Sequence, residues 1–181
     1  IKYLSNNHKD FGADIEQIFK DIDHSMSFYI RGSLITQLNN GNSPVTVDSM
    51  FMTVLNRSIE IAEETSGDFD PTVGPLARLW GFGYDTVRGD LSADSIEAVK
   101  AHTGYKAIHI DGMKISIPKN YTLDFNAIAQ GYTVDYIANY LHKKGIQNYM
   151  IEVGGEVRTR GVNEAGEVWR IGVDKPSKDI D

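Results

Sequence analysis

Residues 66–83 read SGDFDPTVGPLARLWGFG, and this stretch decides how the fold of the chain is interpreted. It holds four glycines, two prolines, two aspartates and three aromatic residues, between two segments with helical spacing. So much glycine and proline does not fit the interior of a long helix or strand. So many aromatic and acidic residues are not typical of a linker. We expect a loop that arranges backbone N–H groups and a few side chains around a ligand.

Two interpretations of this loop remain open from its composition. In the first, Pro75 begins a short helix that runs to Trp80. The preceding N–H groups would then bind a phosphate at the helix start, namely those of Thr72, Val73 and Gly74. Aromatic side chains would offer faces to a flat ring, namely Trp80, Phe82 and Tyr84. In the second, the loop is a proline-braced turn whose aromatic residues belong to the core.

Composition narrows the class of protein. The chain has 181 residues, 41% hydrophobic and 24% charged, so a single globular domain is expected. Its net charge is −7 without any run of lysine or arginine, which argues against binding to nucleic acid. An acidic surface also suits a cation site. The absence of cysteine excludes disulfides, thiolate metal sites and cysteine nucleophiles.

The two ends of the chain indicate a longer parent protein. Ile1 is not an initiator methionine and opens a stretch with strand character, and Asp181 closely follows another predicted strand. No apolar run approaches the roughly 20 residues that span a bilayer. We expect truncation at both ends, so the lack of a targeting segment is uninformative.

Hydrophobic periodicity predicts an α+β fold. Asp10, Asp48 and Ser92 are expected helix caps. Spacings of three and four residues predict helices over 11–26, 33–38, 49–65, 93–102 and 131–144. Alternating and β-branched runs predict strands over 107–110, 114–117, 121–125, 148–153, 158–161 and 168–173. Helices come first and strands later, with one helix among the strands, so we expect one α+β domain with helices packed on a mixed sheet.

Two further stretches could carry chemistry. Residues 123–132 read LDFNAIAQGY, in which a strand ends at Asp124, a small-residue loop follows and a helix begins at Gly131. A carboxylate there either accepts a hydrogen bond from a ring N–H of a ligand or caps the helix. Residues 152–156 read EVGGE, where paired glycines permit either a close backbone approach to a ligand or a β-bulge.

Common catalytic patterns are absent from the sequence. It contains no GxGxxG after a strand, no phosphate loop, no GxSxG and no HExxH. The five histidines are scattered without metal-ligand spacing, and His109, within an apolar run, is interpreted as structural.

These stretches, in this order, resemble the FAD:protein FMN transferases of the ApbE family. The FDPTVGP run at 69–75 and the LWGFG run at 79–83 are far more specific than a lone glycine pattern. The resemblance spans essentially the whole chain through residues 26–29, 38–39, 69–75, 79–83, 123–132, 154–155 and 169–176. It implies that residues 1–181 form an ApbE-like flavin transferase domain from which the C-terminal metal-ligand segment is absent.

The resemblance implies an enzyme that binds FAD and Mg²⁺, transfers FMN to a serine or threonine hydroxyl of a partner protein, and releases AMP. Acceptors of this family carry a Ser/Thr-Gly-Ala-Ser/Thr motif in subunits of respiratory redox type. This chain lacks that motif, so we interpret it as the donor enzyme. The family also implies a lipid anchor at the periplasmic face of a bacterial cell envelope. Two alternatives stay open: an FAD pyrophosphatase that yields FMN and AMP, and a non-catalytic module that binds FAD.

Site residues follow from the same resemblance, although no catalytic residue does. Asp124 is expected to hold a polar edge of the flavin dinucleotide, with Gln130 close to it. The backbone carbonyl of Ala127 is expected to be a Mg²⁺ ligand. The other contacts with FAD are expected from Tyr29, Thr72, Val73 and Gly74.

The chain departs from the family pattern in two places. Many relatives carry Gly-Gly and Lys where this chain has Asn126-Ala127 and Gln130, so a positive charge near the phosphates is lost. The family's aspartate and threonine metal ligands lie beyond the end of the chain. The aspartates near that end are not at the matching motif, namely Asp174, Asp179 and Asp181. If these 181 residues act alone, we expect weak or no transferase activity.

Overall fold

The computed structural model describes residues 1–5, 9–82 and 89–173. The chain divides into two compact units, one of residues 12–133 and a smaller one that combines residues 1–11 with 134–181. In chain order the helices and strands are β1 (Lys2–Tyr3), α1 (Gly12–Met26), α2 (Leu34–Asn39), β2 (Val45–Thr46), α3 (Ser49–Glu64), α4 (Gly74–Leu79), α5 (Ala93–Lys100), β3 (His109–Asp111), β4 (Lys114–Ser116), α6 (Ala129–Lys143), β5 (Tyr149–Val153) and β6 (Glu156–Arg160).

Each unit contains one three-stranded antiparallel sheet. In the larger unit the strand order is β2-β4-β3, and Ile115 of β4 lies opposite both Val45 and Ile110. In the smaller unit the order is β1-β5-β6. The predicted α+β class is confirmed, but the predicted mixed sheet is wrong, because every pair among the described strands is antiparallel.

The paired glycines at 154–155 form the turn between β5 and β6. Val153 pairs directly with Glu156, so the connection has only two residues. Gly154 and Gly155 have φ values of 60° and 96°. Two consecutive positive φ angles are what a tight hairpin turn with the normal strand twist requires. The pair therefore forms the hairpin turn, and the β-bulge that the sequence allowed is not present.

Local signals set the helix starts in the larger unit. The Asp48 carboxylate accepts a hydrogen bond from the Phe51 backbone N–H at 2.8 Å and one from the Ser25 hydroxyl at 3.0 Å. The Ser92 hydroxyl accepts one from the Ser95 N–H at 3.3 Å. Of the three predicted caps, Asp48 and Ser92 are confirmed, because an N-cap depends only on residues within one turn. The Asp10 carboxylate accepts a hydrogen bond from the Tyr3 hydroxyl at 3.2 Å.

The core of the larger unit lies beneath the segment that carries Asp124. Phe51 of α3 meets Phe125 edge to face, with ring centroids 5.1 Å apart. The buried apolar residues of this unit also include Ile15, Ile18, Ile22, Ile35, Leu38, Val54, Leu55 and Leu123. In the smaller unit the buried residues include Phe11, Ile137, Leu141, Tyr149 and Ile151.

Residues 121–125 were expected to form a strand and do not. The backbone of Leu123 bonds to the Asn39 side chain, and the Asp124 N–H bonds to the Pro71 carbonyl at 2.7 Å. Leu123 and Phe125 are buried and alternate with polar residues in the sequence as in a strand, but the Asn39 side chain and the loop at Pro71 bond to the backbone in place of a neighbouring strand. Only a single bridge, Val162 with Val168, forms in place of the predicted hairpin over 158–173. None of the described helices has the length and apolar character that crossing a membrane requires.

Candidate functional site

Helix α4 begins inside the loop that dominated the sequence. Gly74 is its first residue, Val73 occupies the cap position without a side-chain hydrogen bond, and Pro75 follows in the first turn. The chain then leaves the helix through Gly81, which has a φ of 84°. The helix begins one residue earlier than predicted and has only six residues.

Asp70 and Thr72 hold this loop in place. One carboxylate oxygen of Asp70 accepts hydrogen bonds from the Thr72 N–H at 2.7 Å and the Thr72 hydroxyl at 2.6 Å. The second oxygen accepts from the Tyr105 N–H at 2.9 Å. The Thr72 hydroxyl in turn accepts from the Gly104 N–H at 2.7 Å. The two side chains therefore fasten the loop to the turn that follows α5.

This arrangement corrects the phosphate seat expected at the start of α4. The Thr72 side chain is completely buried, and its N–H is used by Asp70. The Val73 N–H donates to the Asp70 carbonyl at 3.1 Å. Because these two donors already have partners, they are not presented to a ligand. Thr72 thus braces the loop. Trp80 and Phe82 are exposed, so these aromatic residues do not belong to the core as the second interpretation had expected.

Gly74 allows the start of α4 to lie against Thr122. A Cβ atom at Gly74 would collide with the Thr122 hydroxyl, and Thr122 is itself buried. Arg78 lies four residues further along the same helix and donates a long hydrogen bond of 3.4 Å to that hydroxyl. Residues four apart share one helix face, so Gly74 and Arg78 face the same segment.

Asn39 positions the segment that carries Asp124. Its amide nitrogen donates to the Leu123 carbonyl at 2.9 Å, and its amide oxygen accepts from the Leu123 N–H at 2.8 Å. Leu123 is completely buried. The carboxamide therefore satisfies both backbone groups of a residue that no strand reaches.

Replacing Asn39 by alanine is expected to lower the free energy of unfolding by about 2 kcal/mol, because both Leu123 groups would lose their partner in a buried position. Urea denaturation of the variant measures this change. Asn40→Ala is the matched control, since Asn40 is exposed and its carboxamide makes no hydrogen bond to another described residue. Equal stability of the two variants would contradict the role of Asn39.

The Asp124 side chain keeps one oxygen available. The other accepts a hydrogen bond from the Asn126 N–H at 2.8 Å, which closes a turn before helix α6 begins at Ala129. One interpretation of the sequence allowed Asp124 to cap α6, and the structure shows that it does not. No described residue bonds its second carboxylate oxygen, and the side chain is only half-buried.

Two cavities in the larger unit meet at Asp124. The inner pocket has a volume of about 150 Å³, and its lining includes Tyr29, Gly74, Arg78, Asp124 and Asn126. The side pocket has a volume of about 330 Å³, and its lining includes Phe69, Val73, Phe82, Asp124 and Ala127. Phe82, 66% exposed, also lines the inner pocket.

The structure thus brings together five of the seven expected site residues. Tyr29, Gly74 and Asp124 line the inner pocket, while Val73 and Ala127 join Asp124 in the side pocket. Thr72 and Gln130 line neither pocket, and Gln130 lies exposed in the first turn of α6. Tyr84 and the aspartates at 174, 179 and 181 lie outside the described residues.

The sequence did not predict a role in the site for Arg78, Asn39 or Asn126. Arg78 could have been found from its spacing, since it lies four residues after Gly74 and therefore on the same face of α4. Among the described lining residues of the inner pocket, Arg78 is the cation and Asp124 the anion. The pairing of Asn39 with Leu123 joins residues 84 apart, and no local pattern signals it.

A family model, described as the ApbE family, matches residues 1–181. The chain belongs to the ApbE family. It is 37% identical to the FAD:protein FMN transferase of Vibrio cholerae over 99% of its own length and 56% of that protein. It is 34% identical to the Haemophilus influenzae protein of the same name, over 98% of its own length and 55% of that protein.

Solved structures of the ApbE family share the fold. A mutant of the flavin transferase ApbE from Vibrio cholerae superposes with a TM-score of 0.86 at 35% identity. The match covers 97% of this chain and 63% of that one. The chain thus spans about half the length of the curated relatives it matches.

Proposed function

We propose that the protein containing this chain transfers FMN from FAD to a serine or threonine hydroxyl of a partner protein and releases AMP. The observation that carries the proposal is the position of Asp124, which lines both pockets with one carboxylate oxygen unbonded by the described residues. The family match over the whole chain supports it. Relatives in that family are named FAD:protein FMN transferase, which supports transfer of FMN from FAD to a protein.

The chemistry of the two pockets fits a flavin dinucleotide. The free oxygen of Asp124 can accept a hydrogen bond from a ring N–H of the flavin. Two largely exposed rings, Tyr29 at 75% and Phe82 at 66%, offer faces for stacking on a flat ring. Arg78, which lines the same inner pocket as Asp124, supplies a positive charge that can neutralise the pyrophosphate. Arg78 does not occupy the position of Gln130, where many relatives carry lysine.

The magnesium dependence of the reaction is part of the proposal. Within residues 1–5, 9–82 and 89–173, no group of three or more histidine, aspartate or glutamate side chains could hold a metal ion. The proposal assigns one ligand, the backbone carbonyl of Ala127, an exposed residue that lines the side pocket. Bound there, Mg²⁺ would neutralise charge on the pyrophosphate.

The acceptor and the location are proposed from the family resemblance. The acceptor would carry a Ser/Thr-Gly-Ala-Ser/Thr motif and belong to a redox complex of respiratory type. The protein would be held by a lipid anchor at the periplasmic face of the cell envelope.

The test is to mix the full-length protein with FAD, Mg²⁺ and an acceptor domain that carries the motif. We expect AMP, measured by chromatography, and a fluorescent acceptor that keeps its flavin after denaturation. An acceptor with alanine in place of both hydroxyl residues is the control and should stay unlabelled.

The other outcomes identify the alternatives. AMP and free FMN without a labelled acceptor would indicate an FAD pyrophosphatase. Saturable FAD binding without AMP, under any divalent metal, would indicate a binding module. Absence of FAD binding would remove the proposal.

A further inference from the structure

A third cavity adjoins the inner pocket and has no place in the function proposed so far. This outer groove, about 770 Å³ in volume, lies between the end of α2 and the segment that follows β4. It shares four lining residues with the inner pocket, namely Asn39, Asn40, Arg78 and Thr122. A molecule in the groove would therefore lie directly beside a molecule in the inner pocket.

The walls of the outer groove are held in place before any ligand arrives. On one side the Gly41 N–H donates to the Leu38 carbonyl at 3.2 Å. On the other, the Tyr121 N–H donates to the Pro118 carbonyl at 3.1 Å. The Ile117 N–H reaches across to the Ser43 hydroxyl at 3.3 Å and joins the two sides. Preformed walls reduce the entropy that binding must overcome.

The lining of the groove favours an acidic polypeptide. Lys119 is exposed on the wall, Arg78 lies at the boundary with the inner pocket, and no aspartate or glutamate is among the described lining residues. This contrasts with the net charge of −7 for the whole chain. The carboxamides of Asn40 and Asn120 make no hydrogen bond to other described residues, so they can bond to a peptide backbone.

We propose that the outer groove binds an acidic, extended segment of the acceptor protein and directs its serine or threonine hydroxyl into the inner pocket. This inference rests on the proposed function, because transfer needs a second substrate beside the first. The hydroxyl oxygen forms a bond to the FMN phosphorus as the P–O bond to AMP breaks. AMP leaves with the bridging oxygen and its electron pair, and the hydroxyl proton passes to water.

The experiment compares two synthetic peptides that contain Ser-Gly-Ala-Thr, one flanked by aspartates and the other by asparagines. Binding to the full-length protein is measured by calorimetry, with and without FAD. We expect the acidic peptide to bind more tightly than the neutral one. Lys119→Glu should weaken binding of the acidic peptide about tenfold, because an attraction between opposite charges at the rim of the groove becomes a repulsion between like charges. Lys20→Glu is the matched control, because Lys20 is exposed on α1 and lines none of the three cavities.

Two results would overturn the inference. The first is equal binding of the acidic and neutral peptides, or equal effects of the Lys119 and Lys20 changes. The second is a loss of FAD affinity in Lys119→Glu, which would assign the groove to the dinucleotide. Either result leaves the FAD-dependent release of AMP by the unchanged protein intact, so the proposed function would stand. If instead the unchanged protein neither binds FAD nor releases AMP, both proposals fail.

Discussion

Replacing Asp124 by alanine is expected to weaken FAD binding by about 1.5–3 kcal/mol, because a hydrogen bond to a charged group would be lost. The reason lies in the geometry of its carboxylate. One oxygen accepts a hydrogen bond from the Asn126 N–H, the other is bonded by no residue of the described ranges, and the side chain lines both the inner and the side pocket. Quenching of flavin fluorescence on titration with the full-length protein measures the change.

Two variants make this result specific to the carboxylate. Asp124→Asn can keep the turn to Asn126 through its amide oxygen while it removes the charge, so it should fall between the parent and Asp124→Ala. Asp111→Ala is the control, because Asp111 is exposed on β3 and lines none of the three cavities. Unchanged FAD affinity in a folded Asp124→Ala protein would exclude Asp124 from the site.

Replacing Asp70 by alanine is expected to lower the free energy of unfolding by about 3 kcal/mol, because three donors would lose an acceptor at once. These donors are the Thr72 N–H, the Thr72 hydroxyl and the Tyr105 N–H. Chemical denaturation followed by far-UV circular dichroism measures the loss.

Asp68 provides the comparison for this second substitution. It lies two residues away, is exposed, and its carboxylate makes no hydrogen bond to the described residues. Asp68→Ala should therefore change the stability by no more than about 0.5 kcal/mol. Similar losses in both variants would show that the network around Asp70 does not stabilise the loop.

The parts of the fold that depend on neighbouring residues could be predicted from the sequence. Asp48 and Ser92 cap their helices through contacts within one turn. The hairpin turn at Gly112 also follows from local backbone preference, since its φ is 58°. The structure of residues 121–125 could not be predicted. An alternation of apolar and polar residues indicates which side chains are buried, but it does not show whether the backbone bonds to a strand or to a side chain.

The candidate site also contains residues that could be predicted from the sequence and residues that could not. Gly74 and Asp124 were found from the type of residue and its place at the end of an element, and both line the inner pocket. Thr72 was assigned to the ligand because its neighbours suggest a helix start. Its hydroxyl is instead a partner of Gly104, 32 residues further along the chain. A contact between residues so far apart in the chain cannot be predicted from local residue spacing.

The bond between Asn39 and Leu123 closes a loop of 84 residues. A contact of such long range costs the chain the entropy of joining distant segments. The wall beside Asp124 therefore exists only when both α2 and the distal segment have docked. A nucleotide held there would bind the completed tertiary structure alone, so its binding energy adds directly to the cooperative stability of this unit.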